Sequence, residues 1–398
     1  MKILVTNANS RMALCITRAL KKKGHDVVVA DYIKNSMCFF SNKKSDYFIY
    51  PSPYSDPDGF ISFILEKVKT LNIDVVFPVH EETFLLSKRK SEVEKHVGLA
   101  VPDYEPFLTV HNKDKLYDAL IQQSIKTPKT LYLKDFSDYN EIKMKLPGKV
   151  VLKPRQGGGN WGIFFPDPVF CYNEQIKPYL KDLNVDIARV LVQEWIPTQE
   201  KYSHVVIYQN GQFIQDFADI HVRDFPLSGG SGVLRKTCDA SPMTEISKHL
   251  FDDIGWHGMA EVEYVSHAET GEFYLIEINP RVWGGVNSAI TSSLDIVGMY
   301  LDIAVGKRAM PGCYKTDVQT RWFWGDMRVF PEYFNKSKSK FGAAGHYLHL
   351  LIDKTKTDEF YWDDPMPFFA WPCHTLYKMF KNRGFQPVAY DSLTGEWD

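Results

Sequence analysis

The sequence predicts a chain of mixed α/β and α+β class: a doubly wound parallel-sheet domain at residues 1–105, an α+β region at 106–310 and an aromatic-rich C-terminal extension at 311–398. Three observations carry this expectation. Apolar runs and helical stretches alternate through the first domain, as parallel strands joined by crossover helices require. From about residue 127 the texture changes to short alternating runs with hairpin signals. At 398 residues the chain is too long for one core, and roughly 150 residues per domain gives two or three.

Residues 2–6 (KILVT) and 26–30 (DVVVA) are apolar runs flanking a helical pattern over 11–23, which Gly24 closes. Residues 59–71 space their apolar positions at helical period, and 74–78 (DVVFP) form the next buried strand, followed by a helix from Glu81 to about His96. Pro102 and Pro106 punctuate a boundary, after which 112–123 (NKDKLYDALIQQ) reads as a helix. Strands are expected at 130–133, 149–153, 163–165 and 190–193, with helices at 137–146 and 173–183. Within 203–215, Asn210-Gly211 sits between two alternating runs, a strong hairpin signal. Runs at 259–265 and 272–278 pair about a turn containing Gly271, and 289–306 gives a helix ending at Gly306. The extension carries a basic, linker-like patch at 336–341 and reads as an appendage.

Lysine plus arginine number 47 against 49 acidic residues, so no global field gathers nucleic acid or anionic lipid. Nucleic acid is therefore not an expected partner. A hydrophobic content of 44% with 24% charged residues supports packed cores rather than disorder. The six cysteines are scattered, with no CxxC and no cysteine–histidine cluster, which fits a reduced, cytoplasmic chain without structural zinc. Arg11 and Arg18 interrupt the first apolar run, so no leader peptide is expected, and no stretch reaches the roughly 18 uninterrupted apolar residues of a spanning helix.

Two segments carry chemistry. In KVVLKPRQGGGNWGIFF (149–165), Gly157, Gly159 and Gly162 satisfy the spacing of a dinucleotide fingerprint, yet a strand rather than a helix follows. The glycines, with Gly158, should form a hairpin tip whose NH groups fold over phosphates, and Lys153 can reach the same phosphates as a point charge. A solvated glycine hairpin is the plain alternative. In EVEYVSHAETGEFYLIEINPR (261–281), Glu277 and Asn279 project from one strand face and Glu263 can lie across from them. Such hard oxygen donors, completed by water and phosphate, suit Mg²⁺. A solvent-facing acidic edge is the alternative.

Taken in order, Lys115, Lys153, the glycine loop, Gln193-Glu194-Trp195-Ile196, Glu263 and the IEINPR run resemble the ATP-grasp superfamily, which includes D-alanine–D-alanine ligase, biotin carboxylase and carbamoyl phosphate synthetase. The resemblance covers residues 1–310. It implies a Rossmann-like domain at 1–105, then a two-subdomain ATP-grasp fold at 106–310 that clasps ATP, its lid at about 127–195. It implies nucleotide contacts from Lys115, Lys153, Gly157, Gly158 and Gly159, an adenine hinge at Gln193, Glu194, Trp195 and Ile196, and Glu200 on the ribose. Glu263, Glu277 and Asn279 become the Mg²⁺ ligands, with Mn²⁺ as a substitute, and Arg281 holds the reacting carboxylate or acyl phosphate.

The run 226–235 (PLSGGSGVLR) followed by 255–258 (GWHG) resembles a group of ATP-grasp ligases in which a glycine loop and an arginine face the acceptor site. Arg223 and Arg235 could clamp a carboxylate beside Ser228, Gly229 and Gly230, or be solvated on a surface loop. His80 follows a strand at its carboxyl end, where open α/β sheets place ligand groups. The expected activity is an ATP-dependent carboxylate–amine ligase that forms an amide through an acyl phosphate and releases ADP and phosphate. Its cofactors are ATP and Mg²⁺, its partners a small carboxylate and an amine (amino acid, peptide or sugar acid). A bicarbonate-activating enzyme and a non-catalytic nucleotide-binding scaffold stand as alternatives. A homodimer, and peripheral membrane contact through 366–383, where Lys378, Lys381 and Arg383 flank apolar residues, also stay open, against packing of that stretch on the main body.

Overall fold

The computed structural model describes residues 1–132, 144–155, 190–227, 229–352 and 355–370, with Pro372. The expected strand at 163–165, the helix at 173–183, most of that at 137–146, and Gly157, Gly158, Gly159 and Ser228 lie outside the described residues.

The first domain holds β1 (Lys2–Val5), α1 (Arg11–Lys22), β2 (Asp26–Asp31), β3 (Asp46–Ile49), α2 (Pro57–Leu71) and β4 (Val75–Phe77). Its four strands are parallel in the order β3-β2-β1-β4. The strands read as continuous apolar runs because both faces are covered: Ile3, Val5, Val27 and Val29 pack with α1, while Leu4, Val28, Ala30 and Val76 pack with α2. Local chemistry sets the helix ends. Ser10 Oγ caps α1 by accepting Ala13 N at 3.1 Å, and Asp56 caps α2 by accepting Gly59 N at 3.0 Å. The helix expected over 81–96 is two, α3 (Glu82–Lys88) and α4 (Lys90–Val93), broken at Arg89. The break turns the chain so that Gly98 returns beside β4, where Val75 and Gly98 form a parallel bridge.

Next come α5 (Tyr104–His111), α6 (Lys113–Gln122) and a small antiparallel sheet of β5 (Thr130–Tyr132), β6 (Val150–Pro154) and β7 (Val190–Glu194), ordered β5-β7-β6. A larger sheet follows, of β8 (Thr198–Gln209), β9 (Gln212–Phe225), β10 (Ser231–Cys238), β11 (Gly258–His267), β12 (Phe273–Asn279), β13 (Gln319–Arg321) and β14 (Lys356–Thr357), ordered β12-β11-β8-β9-β10-β13-β14. Asn210 and Gly211 both have positive φ, 51° and 76°, the twist a two-residue hairpin between β8 and β9 needs. The glycine-rich run expected to be a loop through Arg235 is strand β10 from Ser231 onward, because Val233 and Leu234 are buried. Helix α7 (Ser241–Asp253), unforeseen, covers the sheet through Met243, Leu250 and Phe251. The single helix expected at 289–306 is α8 (Val286–Thr291) and α9 (Ile296–Ala304), separated where Ser293 takes φ 81° and Asp295 caps the second.

The extension is stitched into the body rather than appended. It supplies β13, β14, α10 (Phe323–Lys336) and α11 (Lys340–Ile352). Arg18 of α1 donates to Asp364 Oδ2 at 2.8 Å and to the carbonyls of Asp358, Glu359 and Asp364. Phe368 stacks on Phe323 and Trp324, whose Nε1 donates to the Phe368 carbonyl at 2.9 Å, so the start of 366–383 packs on the body. Lys378, Lys381 and Arg383 lie outside the described residues. Among the described residues no helix is long and apolar enough to cross a membrane.

Arg18→Met leaves Asp364 buried without its cation, which should cost about 3–5 kcal/mol. Chemical denaturation should show that loss, with the extension becoming protease-sensitive first. Burial and the neighbouring Asp358 push Glu359 up to about 8, and burial pushes Asp358 to about 6. Folded carboxyls that hold protons more tightly than unfolded ones stabilise at low pH, so stability should fall as pH rises from roughly 4.5 to 8. Melting temperatures at the two ends of that window should differ less in Glu359→Gln than in wild type.

Candidate functional site

Strands β11 and β12 pair antiparallel, placing Glu263 opposite Glu277 and Glu261 opposite Asn279. Because side chains alternate, all four polar groups share one face. Asn279 Nδ2 donates to Glu261 Oε2 at 3.0 Å and approaches Glu263 Oε1 at 3.4 Å. Burying several carboxylates together demands cations, and each comes from a different element. Lys113, at the start of α6, places Nζ 3.5 Å from Glu277 Oε1. Lys201 of β8 places Nζ 3.3 Å from Glu263 Oε2 and donates to the Gly230 carbonyl at 2.6 Å. Lys153 of β6 is buried, and burial lowers its pKa against the opposing pull of Glu277 and Glu263. Burial would raise Glu263, but Lys201, with His221 and Arg235, holds it below its ordinary range. Glu261, buried beside Glu263, is pushed up.

Arg281 closes the cleft toward the parallel sheet. Its Nη2 donates to Asn279 Oδ1 and its Nε to Glu81 Oε1, both at 3.2 Å. Burial would raise Glu81, yet His80, Arg281 and His111 hold it at about 2, while burial and Arg281 push His80 down to about 4. At neutral pH the His80 imidazole is therefore uncharged, and Arg281 is the partner that matters. His80, Glu81, Lys113, Glu277, Asn279 and Arg281 line one narrow cleft that opens to solvent. His80 lies at the carboxyl edge of the parallel sheet, so the cleft has walls from both sheets.

The structure thus brings together Lys153, Glu263, Glu277, Asn279, Arg281 and His80, and places other expected residues elsewhere. Lys115 is exposed, whereas Lys113 faces Glu277. Asn112 Oδ1 accepts Asp114 N at 2.9 Å, making Asn112 the N-cap and Lys113 the first helical residue; the capping rule applied to Asn112-Lys113 could have found it. Arg223 and Arg235 form no joint clamp. Register shifts at Gly232, Leu234 and Arg235 separate them, so Arg223 pairs with Asp326 at 2.7 Å while Arg235 donates to Ser203 and Asp219, both at 2.8 Å. Neither arginine is solvated. Gly229 and Gly230 lead into β10, and Gly230 is bound by Lys201.

At the expected hinge, the amides of Glu194 and Trp195 already donate to the carbonyls of Lys129 and Lys149. Gln193 is buried on Thr130, Ile196 is buried, and Trp195 is exposed beneath Lys149. Glu200 accepts the Tyr202 hydroxyl. Lys201 and Glu261 join this cluster without a motif to mark them, although the Glu261–Glu263 spacing of two places both acids on one strand face.

Among the described residues, no three His, Cys, Asp or Glu side chains form a self-contained metal cage. Two carboxylates in register with an amide oxygen beside them still fit Mg²⁺, which uses few protein ligands and takes the rest from water and phosphate.

A small antiparallel sheet carries buried Lys153, on which Glu277 and Glu263 of the larger antiparallel sheet act electrostatically. Residues 110–285 match the family model of the ATP-grasp domain. No curated protein matches the sequence. Among solved structures, the biotin carboxylase domain of 2-oxoglutarate carboxylase from Hydrogenobacter thermophilus, described with MgADP and bicarbonate, aligns at TM-score 0.63 and 17% identity, covering 80% of this chain and 73% of that one. Biotin carboxylase from Campylobacter jejuni aligns at 0.63 and 16%, covering 80% and 74%. N5-carboxyaminoimidazole synthetase from Staphylococcus aureus aligns at 0.62 and 13%, covering 85% and 86%. At such identities the likeness is one of fold.

If Lys113 rather than Lys115 meets the nucleotide, Lys113→Met should weaken MgADP binding about tenfold or more, the scale of a lost charged hydrogen bond. Lys115→Met should bind as wild type. Calorimetric titration of both variants decides between the lysines.

Proposed function

We propose that the protein is an ATP-dependent carboxylate–amine ligase that forms an amide through an acyl phosphate and releases ADP and phosphate. The supporting observation is the convergence on one cleft of Lys113, Glu277, Asn279 and Arg281, with Lys153 and Glu263 beside them. In this reading Glu263, Glu277 and Asn279 hold Mg²⁺, which when bound neutralises phosphate charge. Lys113 and Lys153 donate to phosphate oxygens, releasing the acids they now balance. Arg281, fixed by Glu81 and Asn279, orients the substrate carboxylate for in-line attack on the γ phosphorus. The amine then attacks the acyl carbon and phosphate departs. Catalysis of the first step is positioning and charge neutralisation, and no protein nucleophile is needed.

ADP release on mixing with ATP, Mg²⁺ and pooled amino acids, peptides or sugar acids tests the reading. Stimulation by an organic acid with an amine supports it. Stimulation by bicarbonate alone supports the second reading, favoured by the bicarbonate described in the Hydrogenobacter neighbour; no stimulation supports a binding scaffold. Glu277→Gln should lower ADP formation more than about tenfold, a barrier change above roughly 1.4 kcal/mol, with circular dichroism unchanged. Retention of near wild-type turnover would remove Glu277 from the metal site.

A further inference from the structure

Helix α11 turns one side to the body and leaves the other bare. Ala343 and Tyr347, four positions apart on one side of the helix, are buried. The Tyr347 hydroxyl lies 3.1 Å from Asp326 Oδ1, and the Arg223 guanidinium covers the Tyr347 ring at 4.7 Å, so the helix is fixed from within. At about 100° per residue, positions 341, 345 and 348 fall on the far side from these contacts. There Phe341 is 94% exposed and Leu348 62%, and Ala344 and Gly345 between them are exposed as well. A scattered exposed leucine is ordinary. An aromatic ring almost wholly in water, on a helix anchored from its opposite side, is apolar surface that a partner would remove from water.

The charge around this face has one sign. From Tyr333 to Ile352 the sequence holds no Asp or Glu, and Lys336, Lys338 and Lys340 lead directly into Phe341. All three lysines are exposed. Lys336 pairs with Glu332 at 2.8 Å, whereas Lys340 donates to the carbonyls of Phe334 and Asn335 at 2.6 and 2.7 Å. Those two bonds fold the start of α11 back on the end of α10 and leave the Lys340 charge without an acid to balance it. The whole chain carries a net charge of -2, so attraction to an anionic surface is local to such a patch. A basic flank beside an exposed apolar helix face suits a helix lying in the plane of an anionic bilayer, with lysines at the headgroups and apolar side chains at the acyl boundary. A second copy of the chain fits this face less well, because pairing two of them brings their lysines together. Trp362, also in the extension, is 89% exposed but is followed by Asp363 and Asp364 and has no basic flank.

We propose that α11 is a docking surface for an anionic lipid bilayer, with Phe341 and Leu348 entering the interface and Lys336, Lys338 and Lys340 meeting the lipid headgroups. The proposal moves the membrane contact left open at 366–383 to α11, and it stands independently of the ligase reading.

The test is co-sedimentation of the full chain with vesicles of phosphatidylcholine alone and of phosphatidylcholine mixed with phosphatidylserine, each at low and high salt. Wild type should pellet with the mixed vesicles at low salt and be released at high salt, where screening removes the contribution of the lysines. Phe341→Ser alters a side chain that stands in water, so the fold is kept, and it should weaken partitioning about tenfold, the lower end for burying an aromatic side chain. Lys338→Glu exchanges attraction for repulsion and should weaken it about twentyfold, each lysine contributing about fivefold at an anionic surface. Trp362→Ser should pellet as wild type. Absence of pelleting with mixed vesicles, equal pelleting with phosphatidylcholine alone, pelleting that survives Phe341→Ser or Lys338→Glu, or an equal loss in Trp362→Ser overturns the proposal. Sedimentation velocity without vesicles examines the competing occupant: a wild-type dimer that Phe341→Ser converts to monomer makes this face a contact between copies and overturns bilayer docking.

Discussion

The register of β11 against β12 is the constraint on which the site depends. It sets Glu261, Glu263, Glu277 and Asn279 on one face, with little water to share their charge. An isolated buried carboxylate costs several kcal/mol, so these acids persist only because cations reach them from α6, β6, β8 and the loop after β12. No segment makes this arrangement alone. In the proposed ligase, phosphates would take over the lysines and a divalent ion the acids.

A second joint ties this face to the parallel sheet. Arg281 bridges Asn279 to Glu81, which follows β4 at the edge where open α/β sheets bind ligands. Helix α1 is clamped on its other side by the extension, through Arg11 to Asp358 and Arg18 to Asp364. Residues distant in the chain therefore fix the first turn of α1. The extension acts as a strap for that turn, and its strands complete the edge of the larger sheet.

The fate of Arg223 shows how a small irregularity redirects chemistry. Uninterrupted pairing of β9 and β10 would keep the relation between Arg223 and Arg235 regular along the ladder. The register shifts near Gly232 and Leu234 send Arg223 to Asp326, Tyr333 and Tyr347, where it holds α10 and α11 against the sheet. Such shifts change which face a side chain meets, and nothing in residue type announces them.

What the sequence by itself determined is what backbone periodicity encodes locally: the parallel strands of the first domain, the Asn210-Gly211 hairpin, the shared face of Glu277 and Asn279, and the order of motifs that marks an ATP-grasp domain. Alternation and turn chemistry act over a few residues, so a reader of the chain can follow them. Tertiary structure alone decided that Lys113 and not Lys115 meets Glu277, that Lys201 balances Glu263, that 311–370 closes the sheet, and that Arg11 turns to Asp358. These pairings join residues tens to hundreds of positions apart. A charged side chain is assigned its partner by which elements pack together, and that choice belongs to the whole fold.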